Sequence, residues 1–160
     1  MVVMLNIALR LVKESDLDVI FEQMRDPVSV QMAAFTAEDP NDRTAFNSHM
    51  ARVLNSPDVN HRAITSDGRL VGTIASFILE GVTEVTYWIG RPYWGHGFAS
   101  RSLELLLQDV HVRPIRARVA SDNAGSLRVL QKAGFKTVGT EVSYAPARSA
   151  EIEETILELS

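Results

Sequence analysis

Apolar residues along this chain change their period several times, and each change marks an element. Leu5, Ile7, Leu9 and Leu11 alternate with polar residues between Leu5 and Val12, as in a strand with one buried face. Ser15 is placed to cap a helix, Asp16 and Asp18 lie in its first turn, and Leu17, Ile20, Phe21 and Met24 form its apolar stripe. Asp26-Pro27 ends that helix, because the residue before a proline is forced out of helical geometry. The stretch to Pro40 is irregular, with a short helix around Val30 to Ala34. A longer helix starts near Asp42 and runs to about Leu54, burying Phe46, Met50 and one of Val53 and Leu54.

The period then drops to two. Arg62 to Ser66 predicts a strand, Asp67-Gly68 a hairpin turn, and Leu70 to Leu79 the return strand. Glu80-Gly81 makes another turn before the strand Thr83 to Ile89, which completes an antiparallel meander. After the loop GRPYWGHG, a helix from about Phe98 to Val110 turns Ala99, Leu103, Leu106, Leu107 and Val110 inward. Ile115 to Ala120 predicts a strand, Ala124 to Ala133 a helix closed by Gly134, and Lys136 to Tyr144 and Glu151 to Leu159 two last strands. This order predicts an α+β fold, with one central mixed, mostly antiparallel sheet of about seven strands and about four flanking helices.

At 160 residues the chain fits one domain, 1–160. A net charge of −4 argues against a nucleic-acid binder that works through bulk electrostatics. It leaves room for a cationic substrate steered by a local acidic patch. There is no cysteine, which removes disulfides, thiolate metal sites and a cysteine nucleophile and is compatible with the cytoplasm. The N-terminal apolar run lacks a basic start and a cleavage site, and no stretch approaches the ~20 apolar residues of a membrane span. A cytoplasmic protein is the expectation.

Candidate chemistry begins at 91-RPYWGHGFAS-100, between a strand and a helix. Gly95 and Gly97 permit positive φ and leave no side chain to obstruct a ligand, and the helix start presents free N–H groups. Those are the attributes of a phosphate or pyrophosphate site, to which Arg91 and His96 can add charge; a glycine turn without a ligand has the same sequence. A P-loop needs Gly-Lys-Ser/Thr, and Phe98 follows Gly97 instead. A dinucleotide fingerprint needs a third glycine where Ser100 stands, and Asp122 alone matches its spacing.

A second segment, 122-DNAGSLRVLQKAGF-135, follows the next strand, with Asp122 or Asn123 available to cap the helix and Ser126 near the same open end. Together the two segments, YWGHGFA and N-x-x-S-x-x-V-L-x-K-x-G-F, resemble the coenzyme-binding half of the GNAT acetyltransferases. The resemblance covers about Val82 to Tyr144, and it is strongest to the Rim-type branch, which includes ribosomal-protein N-terminal acetyltransferases. It implies the GNAT fold and acetyl-CoA as cosubstrate. The pyrophosphate would lie on the loop of Trp94, Gly95, His96, Gly97, Phe98 and Ala99, with Ser100 opening the helix. Tyr87, Trp88 and Ile89 would pair with the pantetheine arm and present an amide N–H to the thioester oxygen, and Asn123 and Ser126 would lie near the sulfur. Where many members carry a tyrosine that protonates the leaving thiolate, this chain has Leu130, which moves attention to Ser126. Trp94 replaces the more general Gln or Arg, as is usual in the Rim-type branch.

Acetyl transfer to an amine requires a group to take the amine proton. Glu84, in EVTYWI, is the candidate base, acting through one water; a solvated strand-edge carboxylate is the competing reading. Alternation puts Glu84, Thr86 and Trp88 on one face and Val85, Tyr87 and Ile89 on the other, unless a bulge intervenes. His49, His61, His96 and His111 lack metal-ligand spacing, so no metal is expected. Tyr93 and Trp94 would stiffen the loop; Phe35, Phe46 and Phe77 are offered to an acceptor pocket or to the core. The acidic run Glu151, Glu153, Glu154 can attract a basic substrate. The expected activity is N-acetyl transfer to a primary amine, on a protein N-terminus or a small molecule, by direct attack in a ternary complex. A CoA-binding regulatory domain without turnover is the alternative. No membrane or nucleic-acid partner is expected, and the last hairpin offers a surface for a homodimer.

Overall fold

The computed structural model describes residues 6–160, so Leu5 of the expected first strand lies outside the described residues. The strands are β1 (Ile7–Leu11), β2 (Val59–Ser66), β3 (Arg69–Leu79), β4 (Val82–Ile89), β5 (Ile115–Ala120), β6 (Lys136–Ala145) and β7 (Ala150–Leu159). The helices are α1 (Leu17–Met24), α2 (Pro27–Ala33), α3 (Arg43–Asn55), α4 (Phe98–Asp109) and α5 (Ala124–Lys132). All seven strands form one mixed sheet in the order β1-β2-β3-β4-β5-β7-β6, antiparallel except where β4 meets β5. Among the described residues five helices flank it where about four were expected; the short helix expected around Val30 to Ala34 is α2, and it begins earlier than its apolar residues suggest. Pro27 opens α2, and Asp26 caps it by accepting from the Ser29 N–H at 3.0 Å.

Both hairpins of the meander turn as their dipeptides require. Asp67-Gly68 and Glu80-Gly81 all take positive φ, the mirror-image turn whose twist matches that of paired strands. The expected Ser15 cap is not formed. Glu14–Asp16 make a 3-10 turn before α1, and buried Asp16 accepts from the Lys13 N–H at 2.7 Å while the Arg10 guanidinium clasps both its oxygens. Asp42 caps α3, accepting from the Ala45 N–H at 3.0 Å, and Val53 faces inward where Leu54 is exposed. Leu11, expected on the buried face of β1, is 66% exposed, since it ends an edge strand.

The core has a layer on each face of the sheet. On one, Phe98, Leu103 and Leu106 of α4 and Leu130 of α5 pack against Ile74, Val85, Ile115 and Leu157. On the other, Ile20 of α1 and Met50 of α3 pack against Ala63 and Leu70. The feature that positions a site lies between these layers. β4 and β5 share only the pairs Thr83↔Ile115 and Glu84↔Arg116; beyond them the two strands part. Among the described residues, no helix is long and apolar enough to cross a membrane.

Candidate active site

The chain between β4 and α4 is stiffened from within. The Trp94 indole donates to the Ile89 carbonyl at 2.8 Å, the Tyr93 ring meets Phe98 edge-on with centroids 6.1 Å apart, and the Gly90 N–H donates to the Val71 carbonyl. Gly95 and Gly97 have φ of 78° and 79°, and Gly97 is the residue from which α4 starts. A Cβ built on either glycine meets nothing within 4 Å, so the space over the loop is open. No side chain caps α4, which leaves the N–H groups of its first turn aimed outward with the positive end of the helix dipole. This loop fits a pyrophosphate in contour and in charge. Phe98 is buried and Ala99 packs against the core, so both can offer only backbone; Ser100 is half-buried and His96 exposed. Arg91, expected to add charge there, is held by Asp26 at 3.0 Å.

A cavity of about 620 Å³ occupies the gap where β4 and β5 part, and residues from both faces of the sheet line it. On the α4–α5 face it is lined by Val85, Tyr87, Val119, Asn123, Ser126 and Leu130. On the α1–α3 face Phe21, Phe35, Phe46, Trp88, Arg118 and Glu154 line it. β4 pairs with β3 without a register shift, so the expected alternation holds: Trp88 reaches α1, its indole donating to the Gln23 carbonyl at 3.0 Å, while Tyr87 faces α5. Ile89 is buried in the core and Thr86 is exposed. Phe77 is not among the lining residues, whereas Phe46 lines the cavity while packed on Phe21 at 5.2 Å.

At the open end of α5, Asn123 is the cap, its Oδ1 accepting from the Ser126 N–H at 3.2 Å. Asp122 instead forms a paired contact with the Arg148 guanidinium at 2.6 and 3.0 Å, which pulls its carboxyl below the usual range. The Ser126 hydroxyl lies 3.0 Å from the Tyr87 phenol. Leu130 is 1% exposed and belongs to the core.

Glu84 is not a solvated edge carboxylate, because β4 is an interior strand and the residue is 3% exposed. Nor is it among the residues lining the cavity; its carboxylate lies against Arg118, whose Nε stands 3.2 and 3.3 Å from its two oxygens. The same guanidinium reaches Glu141 at 3.0 Å and Glu154 at 4.0 Å, so three carboxylates surround one cation. Of these, Glu154 borders the cavity. Burial raises the Glu154 carboxyl above its usual range, Arg118 acts against that, and Glu141 and Glu84 add to it. Glu151 and Glu153 of the same run are exposed. The alternation of β7 sends Glu154 to the opposite face from Glu153, a signal present in the sequence but unusable without knowing which face holds the cavity. Arg118 gave no signal at all, since its partners come from three separate strands. Among the described residues, no group of His, Asp or Glu is placed to hold a metal.

Similarity to known proteins agrees with this geometry. A curated relative, the uncharacterized N-acetyltransferase p20 of Bacillus licheniformis, is 23% identical over 92% of this chain and 89% of its own. RimJ of Mycobacterium smegmatis, solved in complex with CoA-disulfide, superposes with a TM-score of 0.77 at 18% identity over 96% of this chain and 81% of that one. Spermidine N-acetyltransferase from Vibrio cholerae, solved with CoA and spermine, superposes with a TM-score of 0.79 at 15% identity over 96% and 94% of the two chains. The family model of the acetyltransferase (GNAT) domain matches residues 6–136, and with the glycine loop and the parted strands in place, the chain belongs to the GNAT family of acetyl-CoA-dependent N-acetyltransferases.

Proposed function

We propose that the chain transfers acetyl from acetyl-CoA to a primary amine by direct attack, with the two substrates meeting in the gap between β4 and β5 from opposite faces of the sheet. The observation that supports this reading is the cavity lined from both faces of the sheet, together with the uncapped start of α4 and its two open glycines, which follow β4 after a short loop. Acetyl-CoA supplies an activated acyl group on a thiol leaving group. The N–H groups from Gly95 to Ser100 hold its pyrophosphate, with Trp94 and His96 at the rim. The backbone of Tyr87, Trp88 and Ile89 takes the pantetheine arm, and Asn123 and Ser126 stand near the sulfur.

The acceptor enters from the α1–α3 face. Phe21, Phe35 and Phe46 give that side an apolar wall, and the excess of carboxylates around Arg118 attracts a cation. Glu154 is the carboxylate placed to take the amine proton, and its raised pKa brings it closer to that of a useful base at neutral pH. Glu84 anchors Arg118 from beneath. A peptide N-terminus, as in the Rim-type branch, and a small polyamine both satisfy these demands, and an acceptor panel separates them.

Titration calorimetry with acetyl-CoA is the primary test. Saturable binding is expected, and Gly97→Ala should weaken it about tenfold or more, because the methyl would stand in the open space over the loop and alanine is strained at the φ of 79° that the loop requires; an unchanged melting temperature separates loss of binding from loss of fold. Absence of binding by the folded protein would sink the transferase reading. For the base, Glu154→Gln should cost about a hundredfold in kcat/KM and remove the ascending limb of its pH profile. Glu84→Gln should lower stability more than it lowers turnover.

A further inference from the structure

Tyr87 leaves β4 after its ladder to β5 has ended, and its ring crosses to the first turn of α5. The phenol oxygen lies 3.0 Å from Ser126 Oγ, with the Ser126 carbonyl oxygen the longer contact at 3.5 Å. Ser126 is itself fixed by the bond from its N–H to Asn123 Oδ1. Both hydroxyl-bearing residues line the cavity. Burial pushes the Tyr87 phenol above its ordinary 10, the Ser126 hydrogen bond acting the other way, so the group keeps its proton at physiological pH. Each hydroxyl carries one hydrogen. When the Tyr87 hydrogen points at Ser126 Oγ, the serine hydrogen is left for a partner in the cavity.

Acidity decides which hydroxyl is the source. An aliphatic hydroxyl is a far weaker acid than a thiol, whereas a phenol, ordinarily at about 10 and held above that here by burial, is closer to a thiol at about 8.5. Serine thus suits a conduit better than a source.

We propose that Tyr87 is the proton source for the departing thiolate and acts through Ser126, so that the hydroxyl missing at Leu130 is supplied from a strand. This rests on the transferase reading above. As the amine nitrogen bonds to the acetyl carbon, the C–S bond breaks and its electron pair goes to sulfur. The Ser126 hydroxyl proton moves to sulfur, and the Tyr87 proton moves to Ser126 Oγ. Solvent reprotonates the phenolate, and the proton lost by the amine leaves through Glu154. The sum is amine plus thioester giving amide plus thiol. Tyr87 does not touch the sulfur; it acts through Ser126, which is the relay.

The test uses the full chain as wild type, Tyr87→Phe, Ser126→Ala and the double variant. Single-turnover acetyl transfer, acetyl-CoA affinity, melting temperature and the solvent deuterium isotope effect are measured on each. Tyr87→Phe keeps the ring that packs beside the core, so folding and acetyl-CoA affinity should match wild type. Its transfer rate should fall about a hundredfold, the isotope effect should shrink, and the double variant should be no slower than Ser126→Ala. A Tyr87→Phe rate indistinguishable from wild type would overturn the proposal, as would losses that multiply in the double variant, or an effect confined to acetyl-CoA affinity. Failure of the wild-type chain to bind acetyl-CoA is a separate outcome; it removes the transferase reading and this inference together.

Discussion

His61 sits on β2 with its Nδ1 buried and without a partner among the described residues. Burial, with smaller repulsion from His49 and Arg62, lowers its pKa from the usual 6.5 to about 4. The folded chain therefore binds fewer protons at this site than the unfolded chain between pH 6.5 and about 4. Stability should be full above that window and decline as pH falls through it, by up to about 3 kcal/mol. Urea midpoints across the range, compared with His61→Leu, check this: the variant should show a flatter profile. At this scale the sequence was read well where backbone geometry dictates the residue. Gly95 and Gly97 need positive φ, and Asn123 caps through its own local bond. It was read poorly where a charge finds partners far along the chain. Glu84, Arg118, Glu141 and Glu154 lie on four strands, and no local spacing reveals that they meet.

Elements were more legible than residues, because period and turn chemistry are local properties. β5 runs from Ile115 to Ala120 as its pattern predicts, and both glycine turns of the meander form where expected. The errors fell at helix starts, where the residues that close the backbone bonds were not the expected ones: Asp16 with Arg10 in place of Ser15, and Asp26 with Pro27 at the short α2. The β3–β4 pair carries a further constraint that pattern does not show. Gly72 lies opposite Ile89, and a Cβ on it would run into the Trp88 carbonyl oxygen. Gly72→Ala should cost about 3 kcal/mol, at the upper end for overpacking, seen as a lower denaturant midpoint. Gly139→Ala, where a Cβ meets nothing, should change the midpoint by less than about 0.5 kcal/mol.

For the molecule as a whole, the sheet order follows from short connections and the meander, but the parting of β4 from β5 does not. It lies between two helical layers on opposite faces of the sheet, an arrangement that no single segment encodes. With a cavity lined from both faces and no cysteine to carry an acyl group, initial-rate plots should intersect, as for a ternary complex, and parallel lines would contradict direct attack. The gap has one more consequence. A strand whose neighbour has turned away keeps backbone amides facing solvent, and such amides exchange their hydrogens readily. From Val85 to Ile89 the β5 side of β4 has no strand partner, while its β3 side is paired throughout. A ligand lying along the gap would take the place of the missing strand. Deuterium uptake across this stretch should slow on adding acetyl-CoA, while Lys136–Ala145, on the far edge of the sheet, keeps its rate.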